Sequence, residues 1–216
     1  MITITQAVGE IIQKDEVALE ALRADILNFS AYAQTILSEV EKRTFRSVQP
    51  GSIVVALYRL SKNIDQIPPL RPTVNIQDLS IKTSLCEVTF DRTADTLERV
   101  TLLPKEWYRK GFFTLTQGLR EITIICSEQL KNQIINHFSA KPKGVYDNLV
   151  AITLSFDEEE YLEQPNMIFS LVSALAGKRI NLIEVVSTFT EISFIVRKTE
   201  MNVTVEVLQQ FFRSEE

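Results

Sequence analysis

Residues 1–64 follow a helical pattern of hydrophobic and polar positions. Apolar side chains recur three and four residues apart, the spacing that places them on one face of a helix. Thr3 and Gln6 are spaced as a capping box, Ser30 suits the cap of a later helix, and Pro50 suits a first helical turn. The pattern predicts four short helices, with core positions at Ala7, Val8, Ile11, Ile12, Val17, Leu19, Ala21, Leu22, Ala33, Ile36, Leu37, Val40, Ile53, Val54, Leu57 and Leu60.

A proline-rich segment, residues 65–78, ends the helical pattern. It holds three of the seven prolines of the chain. Proline lacks a backbone donor and fixes its own φ, so the segment is predicted to be extended and stiff. We therefore predict a helical domain at residues 1–64, followed by a linker at 65–78.

Beyond the linker, strand-like and helical patterns alternate. Helical spacing is visible at Thr93–Tyr108, where Pro104 is expected to interrupt the helix, and at Glu128–Phe138. The predicted order is strand, helix, strand, strand, helix, and it recurs in the last third of the chain. Runs rich in β-branched and aromatic residues, typical of strands, lie at Ile81–Phe90, Phe112–Thr116, Glu121–Cys126, Val145–Phe156, Asn181–Ser187 and Glu191–Val196.

The chain also repeats itself when residue 121 is aligned with residue 191. The run EITIIC, which begins at Glu121, then falls on EISFIV, which begins at Glu191, and the chemical classes match position by position. A module made of one sheet and its helices leaves strand edges uncovered, so a second copy can pair with it. The repeat predicts an α+β protein with tandem units at residues 79–149 and 150–216.

Composition and charge narrow the classes of protein. Of 216 residues, 45% are hydrophobic and 24% charged, as in ordinary globular proteins. No apolar run approaches the roughly 18 residues of a membrane span, and no leader pattern opens the chain, so we expect a cytoplasmic location. Cys86 and Cys126 both lie in strand-like runs. They are expected to be small buried hydrophobes without a disulfide.

The segment GKRINLIEVVSTFTEISFIV, residues 177–196, precedes a helix that ends in LQQFF. Its Ile180-Asn181 dipeptide, the strand ending at Ser187 and the run from Glu191 resemble the ACT domains that regulate aspartate kinases. The likeness is weaker in the first unit and does not cover residues 1–78. It implies ferredoxin-like (βαββαβ) ACT units in tandem behind the helical domain.

The resemblance also implies a site. ACT units of that family bind amino acids at unit–unit interfaces, through the loop after the first strand, the start of the first helix and the next strand. Pro165-Asn166 stands where the family usually has Pro-Gly, and glycine allows a ligand to approach the backbone closely. A homodimer through the ACT units is a further implication. The implied ligand-binding residues are Asp157, Asn166, Met167, Ile168, Ile183 and Ser187.

The helical domain offers a second interpretation. The net charge of the chain is −5, but five basic residues and no acid lie between residues 42 and 62. The last predicted helix follows a polar turn, an arrangement compatible with a helix-turn-helix that enters the major groove. Alternatively, the domain is a small bundle for docking or dimerisation, with solvated cations. Candidate DNA-binding residues are Lys42, Arg43, Arg46, Gln49, Ser52, Arg59 and Lys62.

Convergent catalytic groups are not visible in the sequence. His137, the one histidine, is expected near a helix C-terminus, where a cation is favourable. We predict no catalytic residues, no cofactor, no metal and no membrane partner. The predicted function is a non-enzymatic sensor of a small molecule, an amino acid among the candidates, coupled to a partner or to DNA. Alternatives are a homo-oligomeric interaction protein without a ligand, or a helix-turn-helix transcription regulator.

Overall fold

The computed structural model describes residues 2–67, 69–109 and 111–212. The chain divides between Pro72 and Thr73 into two compact units, here called the helical domain and the α+β domain. The overall class is α+β, as predicted: a helical part precedes an antiparallel sheet covered by helices.

The helical domain contains four α-helices within its described residues. The helices enclose a core that includes the predicted positions Ala7, Ile12, Leu19, Ile53 and Leu57. Val17, also predicted for the core, is instead 80% exposed. It lies on the outer side of its helix, away from the core residues Ala18, Leu19 and Leu22. The helices are α1 (Ile4–Ile12), α2 (Glu16–Arg23), α3 (Phe29–Thr44) and α4 (Pro50–Ser61), followed by a 3-10 turn at Ile64–Gln66.

Local capping explains where these helices begin. Thr3 and Gln6 form both hydrogen bonds of the predicted capping box, and Pro50 occupies the first turn of α4. The cap of α3 is Asn28, not Ser30: the Asn28 side chain accepts a hydrogen bond from the Ala31 backbone at 3.0 Å. Asparagine is an equally good N-cap residue, so the residue type did not distinguish the two positions.

The α+β domain is built on one antiparallel sheet. Counted over the described residues, its six strands run in the order β2-β3-β1-β4-β6-β5. The strands are β1 (Asp78–Asp91), β2 (Phe113–Gln117), β3 (Glu121–Ser127), β4 (Gly144–Ser155), β5 (Glu184–Ser187) and β6 (Glu191–Arg197). The helices are α5 (Ala94–Thr101), α6 (Lys131–Phe138), α7 (Glu158–Glu163), α8 (Met167–Gly177) and α9 (Met201–Gln209).

The sheet contains two ferredoxin-like modules that share their central strands. In the first, the second half of β1 is followed by α5, β2, β3, α6 and the first half of β4. In the second, the second half of β4 is followed by α8, β5, β6 and α9. Its fourth strand is the first half of β1, where residues 78–82 pair with residues 151–155. Residues 74–82 therefore belong to the second module, although they precede the first module in the sequence.

A bulge divides each central strand into these halves. Ser84 in β1 and Asn148 in β4 have φ angles of 59° and 58°, and the register between the two strands shifts at this point. An extra residue reverses which side chains face each side of a strand. Each half therefore presents its own alternating set of apolar residues to the helices.

The helices cover one face of the sheet. In the second module, Val150, Ile152 and Phe194 pack against Leu171 and Leu208 of the helices. In the first module, the corresponding core contains Cys86 and Cys126, which are buried as expected and lie opposite each other on β1 and β3. Their sulfur atoms are 3.8 Å apart, and neither cysteine is in a disulfide.

The other face, which carries no helix, is curled around a small apolar cluster. Phe112, next to the edge strand β2, and Val186, on the opposite edge strand β5, pack against one apolar cluster and line one cavity. Residues at opposite edges of a flat six-stranded sheet could not line one small cavity, so the sheet must bend toward this concave face. The central side chains of the concave cluster are Leu85, Ile125, Leu149, Ala151 and Ile195.

Candidate functional site

The loop between β4 and α8, where the resemblance places a ligand, contains a short helix. Asp157 caps this helix, α7: its Oδ1 accepts a hydrogen bond from the Glu159 backbone at 3.0 Å. Its Oδ2 also accepts one from Gln77 Nε2 at 3.3 Å. The Asp157 carboxylate therefore holds the loop in place.

Asn166 occupies the position of the family's glycine and adopts the conformation that glycine favours. Its φ is 69°, in the left-handed region, which asparagine tolerates better than most residues. The Asn166 side chain makes no capping hydrogen bond at the start of α8. Asn166 thus has a backbone conformation that a glycine could also adopt, and it carries an exposed amide.

The remaining implied ligand residues are distributed over three places. Met167 is buried in the core between the sheet and α8, whereas Ile168 is 44% exposed. Ser187, at the end of β5, lies at the same end of the sheet as Asp157, because β6 pairs Ile192 with Ser187 and with Leu154. Ile183 precedes β5 at the opposite end and packs on the concave cluster.

A shallow groove runs beside the start of α8. Its volume is about 340 Å³. It brings Asn166 and Ile168 together with side chains that the sequence analysis did not single out. The groove is lined by Tyr161, Gln164, Asn166, Met167, Ile168 and Phe169.

The concave face carries polar groups that the sequence analysis missed. Thr153 and Ser193 are hydrogen-bonded through their hydroxyls at 2.7 Å. In the first module, Thr89 and Thr123 form the equivalent contact at 3.0 Å. Alternation of polar residues with the apolar helix-facing ones was visible in the sequence. That the sheet curls over these residues was not.

Glu87 is the most unusual of these groups. It is only 6% exposed. Its carboxylate accepts a hydrogen bond from Thr89 Oγ1 at 3.3 Å, while Oε2 has no partner. Burial, and then the nearby charge of Glu184, raise the pKa of Glu87 above its usual value. A carboxyl group in this environment is held toward its neutral form.

In the helical domain, Arg43 is engaged by acidic side chains. Its guanidinium donates to Glu10 at 3.0 Å and, from Nε, to Glu39 at 3.0 Å. Lys62 lies over the ring of Tyr58, 5.3 Å from its centroid. The other candidate DNA-binding residues, all exposed, are Lys42, Arg46, Gln49, Ser52 and Arg59.

Other side chains have structural roles. His137 Nε2 is 2.8 Å from the Arg99 carbonyl oxygen, and its ring contacts Trp107 edge-on. Over the described part of the chain, no three histidine, cysteine or acidic side chains are grouped as a metal site would require. Likewise, no helix among the described residues has the length and apolarity needed to span a membrane.

By strand order and connections, the α+β domain has the fold of aspartate kinase regulatory domains, with two ferredoxin-like modules in tandem. No protein-family model matches the sequence, and a search of curated proteins finds no match. The likeness is therefore structural, and at the identities below it shows the fold alone. The N-terminal helical domain receives no support from these comparisons.

Three solved structures illustrate the likeness. The aspartate kinase of Clostridium acetobutylicum has a TM-score of 0.54 at 12% identity, covering 64% of this chain and 35% of that one. The ligand-free regulatory subunit of aspartate kinase from Thermus thermophilus has a TM-score of 0.51 at 8% identity, covering 64% and 99%. Aspartokinase III of E. coli, in complex with aspartate and ADP, has a TM-score of 0.51 at 11% identity, covering 63% and 33%. The chain thus spans about a third of the two complete kinases.

Proposed function

We propose that this chain is a non-catalytic, cytoplasmic regulatory protein whose ACT modules bind a small molecule, with an amino acid as the first candidate. The main support is the match to a regulatory subunit that exists as a separate chain, of which 99% is covered. The regulatory fold therefore occurs without an attached kinase domain in at least one other protein.

The start of α8 has the features that an amino acid requires. Asn166 leaves the first backbone N–H groups of α8 without a side-chain cap. These groups, together with the helix dipole, favour a carboxylate. The groove beside them offers the exposed amide of Asn166 for polar contact and the half-exposed Ile168 and Phe169 for an apolar side chain.

A screen of the twenty amino acids by thermal unfolding tests the sensor function, because a ligand of the native state must raise the unfolding midpoint. We expect one or a few to raise the midpoint of the wild type. Asn166→Gly keeps the backbone conformation and the free N–H groups of α8, so it should retain a shift, reduced by the loss of the amide contact. Asn166→Asp places a negative charge beside the ligand carboxylate and should abolish it. If no amino acid shifts the wild type, the amino-acid proposal is wrong.

The same helix supports a homodimer. Ile168 and Phe169 on α8 are 44% and 40% exposed, and Val185 and Phe189, on and after the edge strand β5, are 42% and 57% exposed. An exposed apolar helix face and an edge strand with apolar side chains each suit a second copy of the chain. Light scattering should show a dimer that Ile168→Glu with Phe169→Glu dissociates. Val17→Glu, at a more exposed apolar position in the helical domain, should leave it intact.

If the dimer forms but no ligand binds, the interaction-protein alternative is favoured. The DNA alternative has its own support in the exposed cations around α4. Arg43 is bound to Glu10 and Glu39, so Arg59 and Lys62 are the better test. If these two side chains neutralise phosphates, Arg59→Ala with Lys62→Ala should lower the salt slope of duplex binding by roughly 0.9 for each phosphate they neutralise. An unchanged slope would rule out both interactions.

A further inference from the structure

The concave face of the sheet holds a half-enclosed cavity of about 330 Å³ that the proposed amino-acid site does not use. One wall is a row of cross-strand neighbours on β1, β4, β6 and β5. Phe112 and Thr114, at the edge of the first module, lie across from this row. The members of the row are Ser80, Thr153, Ser193 and Val186.

The hydroxyls of this cavity have hydrogen-bonding capacity to spare. Thr153 and Ser193 use one hydroxyl hydrogen in their mutual bond, so the pair retains a second donor. Thr114 Oγ1 is buried and has no hydrogen-bond partner. Buried polar atoms in native proteins are nearly always satisfied, and one that is not calls for an explanation. A ligand that bonds to Thr114 would provide one, but only after the Thr114 side chain rotates, because Oγ1 itself has almost no exposed surface.

The charge of the lining selects among ligands. Glu191 is the one charged side chain among the described lining residues. Its carboxylate lies 3.4 Å from Thr188 Oγ1, which is a long hydrogen bond. No cation is among the described lining residues, although Lys82 Nζ lies beside Gly111, next to Phe112. An ammonium group in the cavity would find the Glu191 carboxylate able to pair with it.

We propose that this cavity binds a small primary amine with a flat apolar body. Its ammonium group pairs with Glu191, and its body lies against Phe112 and Val186. A polar substituent reaches Thr114 or the hydroxyl pair of Thr153 and Ser193. At about 30 Å³ for each displaced water, the cavity holds about eleven waters, which corresponds to an amine of about ten non-hydrogen atoms.

Such a ligand would act on the shape of the domain. Phe112 and Thr114 belong to the first module, whereas Thr153 and Ser193 belong to the second. A molecule that contacts both sides binds the curled arrangement better than any more open one, and so shifts the equilibrium toward it. The site is distinct from the groove at α8, and this inference stands independently of the amino-acid proposal.

The test uses 2-phenylethylamine and tyramine, with phenylalanine and tyrosine as partners that add a carboxylate to the same skeletons. On the full-length chain, we expect both amines to raise the unfolding midpoint in a concentration-dependent way. Glu191→Gln should weaken their binding at least tenfold. The control Glu121→Gln, at the equivalent position of the first module, should not.

Thr114→Val distinguishes a binding role from a structural one, because it should change tyramine affinity without changing stability. It removes an unpartnered hydroxyl, so stability should hold while tyramine affinity falls. Thr116→Val, two residues along the same strand, serves as its control. The proposal is overturned if neither amine shifts the wild type, or if the shifts survive unchanged in Glu191→Gln. It is also overturned if phenylalanine and tyrosine bind as tightly as the amines through Glu191. An amine shift that persists in Asn166→Asp separates this site from the one at α8.

Discussion

Leu85 and Leu149 are direct cross-strand partners at the centre of the sheet, and each occupies the same position in its own module. The difference in residue number between Leu85 and Leu149 is the same as that between Thr89 and Thr153, and as that between Ser80 and Gly144. Both Thr89 with Gly144 and Thr153 with Ser80 are cross-strand pairs. The modules are therefore related by a pseudo-two-fold axis beside the leucine pair.

The pair gives a prediction about stability. Leu85 and Leu149 are 0% and 1% exposed, so Leu85→Ala and Leu149→Ala should each lower the free energy of unfolding by about 2–5 kcal/mol. Because the two environments are related by symmetry, the two losses should be similar. Urea unfolding measures both, and Leu119→Ala, at an 87% exposed position, should change little. Strongly unequal losses would contradict the symmetry.

Glu87 predicts a dependence of stability on pH. Its pKa is raised in the folded state. The contribution of Glu87 to the free energy of unfolding is therefore greatest below the normal glutamate pKa and is lost as pH rises through the folded pKa. Glu87→Gln should therefore stabilise the protein at pH 7, by roughly 1 kcal/mol, the scale of one unsatisfied buried group. Near pH 4 the gain should shrink.

Unfolding in urea at both pH values checks this prediction. Glu184→Gln removes the neighbouring charge and should act in the same direction, more weakly. The second module has Ala151 at the position of Glu87, so the fold itself does not need a carboxylate here. A Glu87→Gln variant less stable than the wild type at pH 7 would show that the carboxylate is stabilising.

The cysteine pair predicts slow thiol chemistry. The hydrogen bond between the two thiols raises the pKa of Cys126 and lowers that of Cys86, but both side chains are 0% exposed, so a reagent cannot reach either sulfur in the native protein. The thiolate is the reactive form, so a thiol reagent at pH 8 should label neither cysteine in the native protein and both in urea. Rapid labelling of either cysteine without denaturant would contradict the buried pair.

Helix capping predicts a difference between two similar substitutions. Asp15 caps α2 through the Ala18 backbone at 3.0 Å and also accepts from Tyr32 Oη at 3.1 Å. Asn28 makes the equivalent cap on α3. Loss of a cap costs about 1 kcal/mol, and the lost Tyr32 bond should add about 1 kcal/mol. Asp15→Ala should therefore cost more than Asn28→Ala, and Tyr32→Phe should account for the difference in thermal unfolding.

The sequence carried enough information for the local elements and the repeat. Glu121 and Glu191 begin equivalent strands, as the repeat predicts, because alternating residues with one buried face leave a clear pattern. The first strands of the two modules are separated as Leu85 and Leu149 are, which is a smaller difference in residue number than that between Glu121 and Glu191. The difference arises because the segment containing α7 lengthens the second module between its first strand and its hairpin. One fixed offset therefore aligned the hairpins and missed the first strands.

The bulges and the curl were not predictable from local patterns. Serine rarely adopts a positive φ, so the residue type at position 84 gave no indication of the bulge. The bulge arises from the pairing of β1 with β4, a strand far along the chain. The candidate site was located only in part for the same reason. Asn166 and Ile168 are neighbours in sequence, whereas Thr114 and Ser193 line one cavity only because the sheet bends.

The shared central strands have a consequence for biosynthesis. Residues 78–82 leave the ribosome early, but their partners at 151–155 emerge only after the rest of the first module has been synthesised. The first module can fold in that interval. Residues 78–82, although already synthesised, have no partner strand until residues 151–155 have been made. Nascent chains halted before residue 150 should thus display an unpaired β-segment that chaperones can recognise, and no single cut in the polypeptide yields both modules whole.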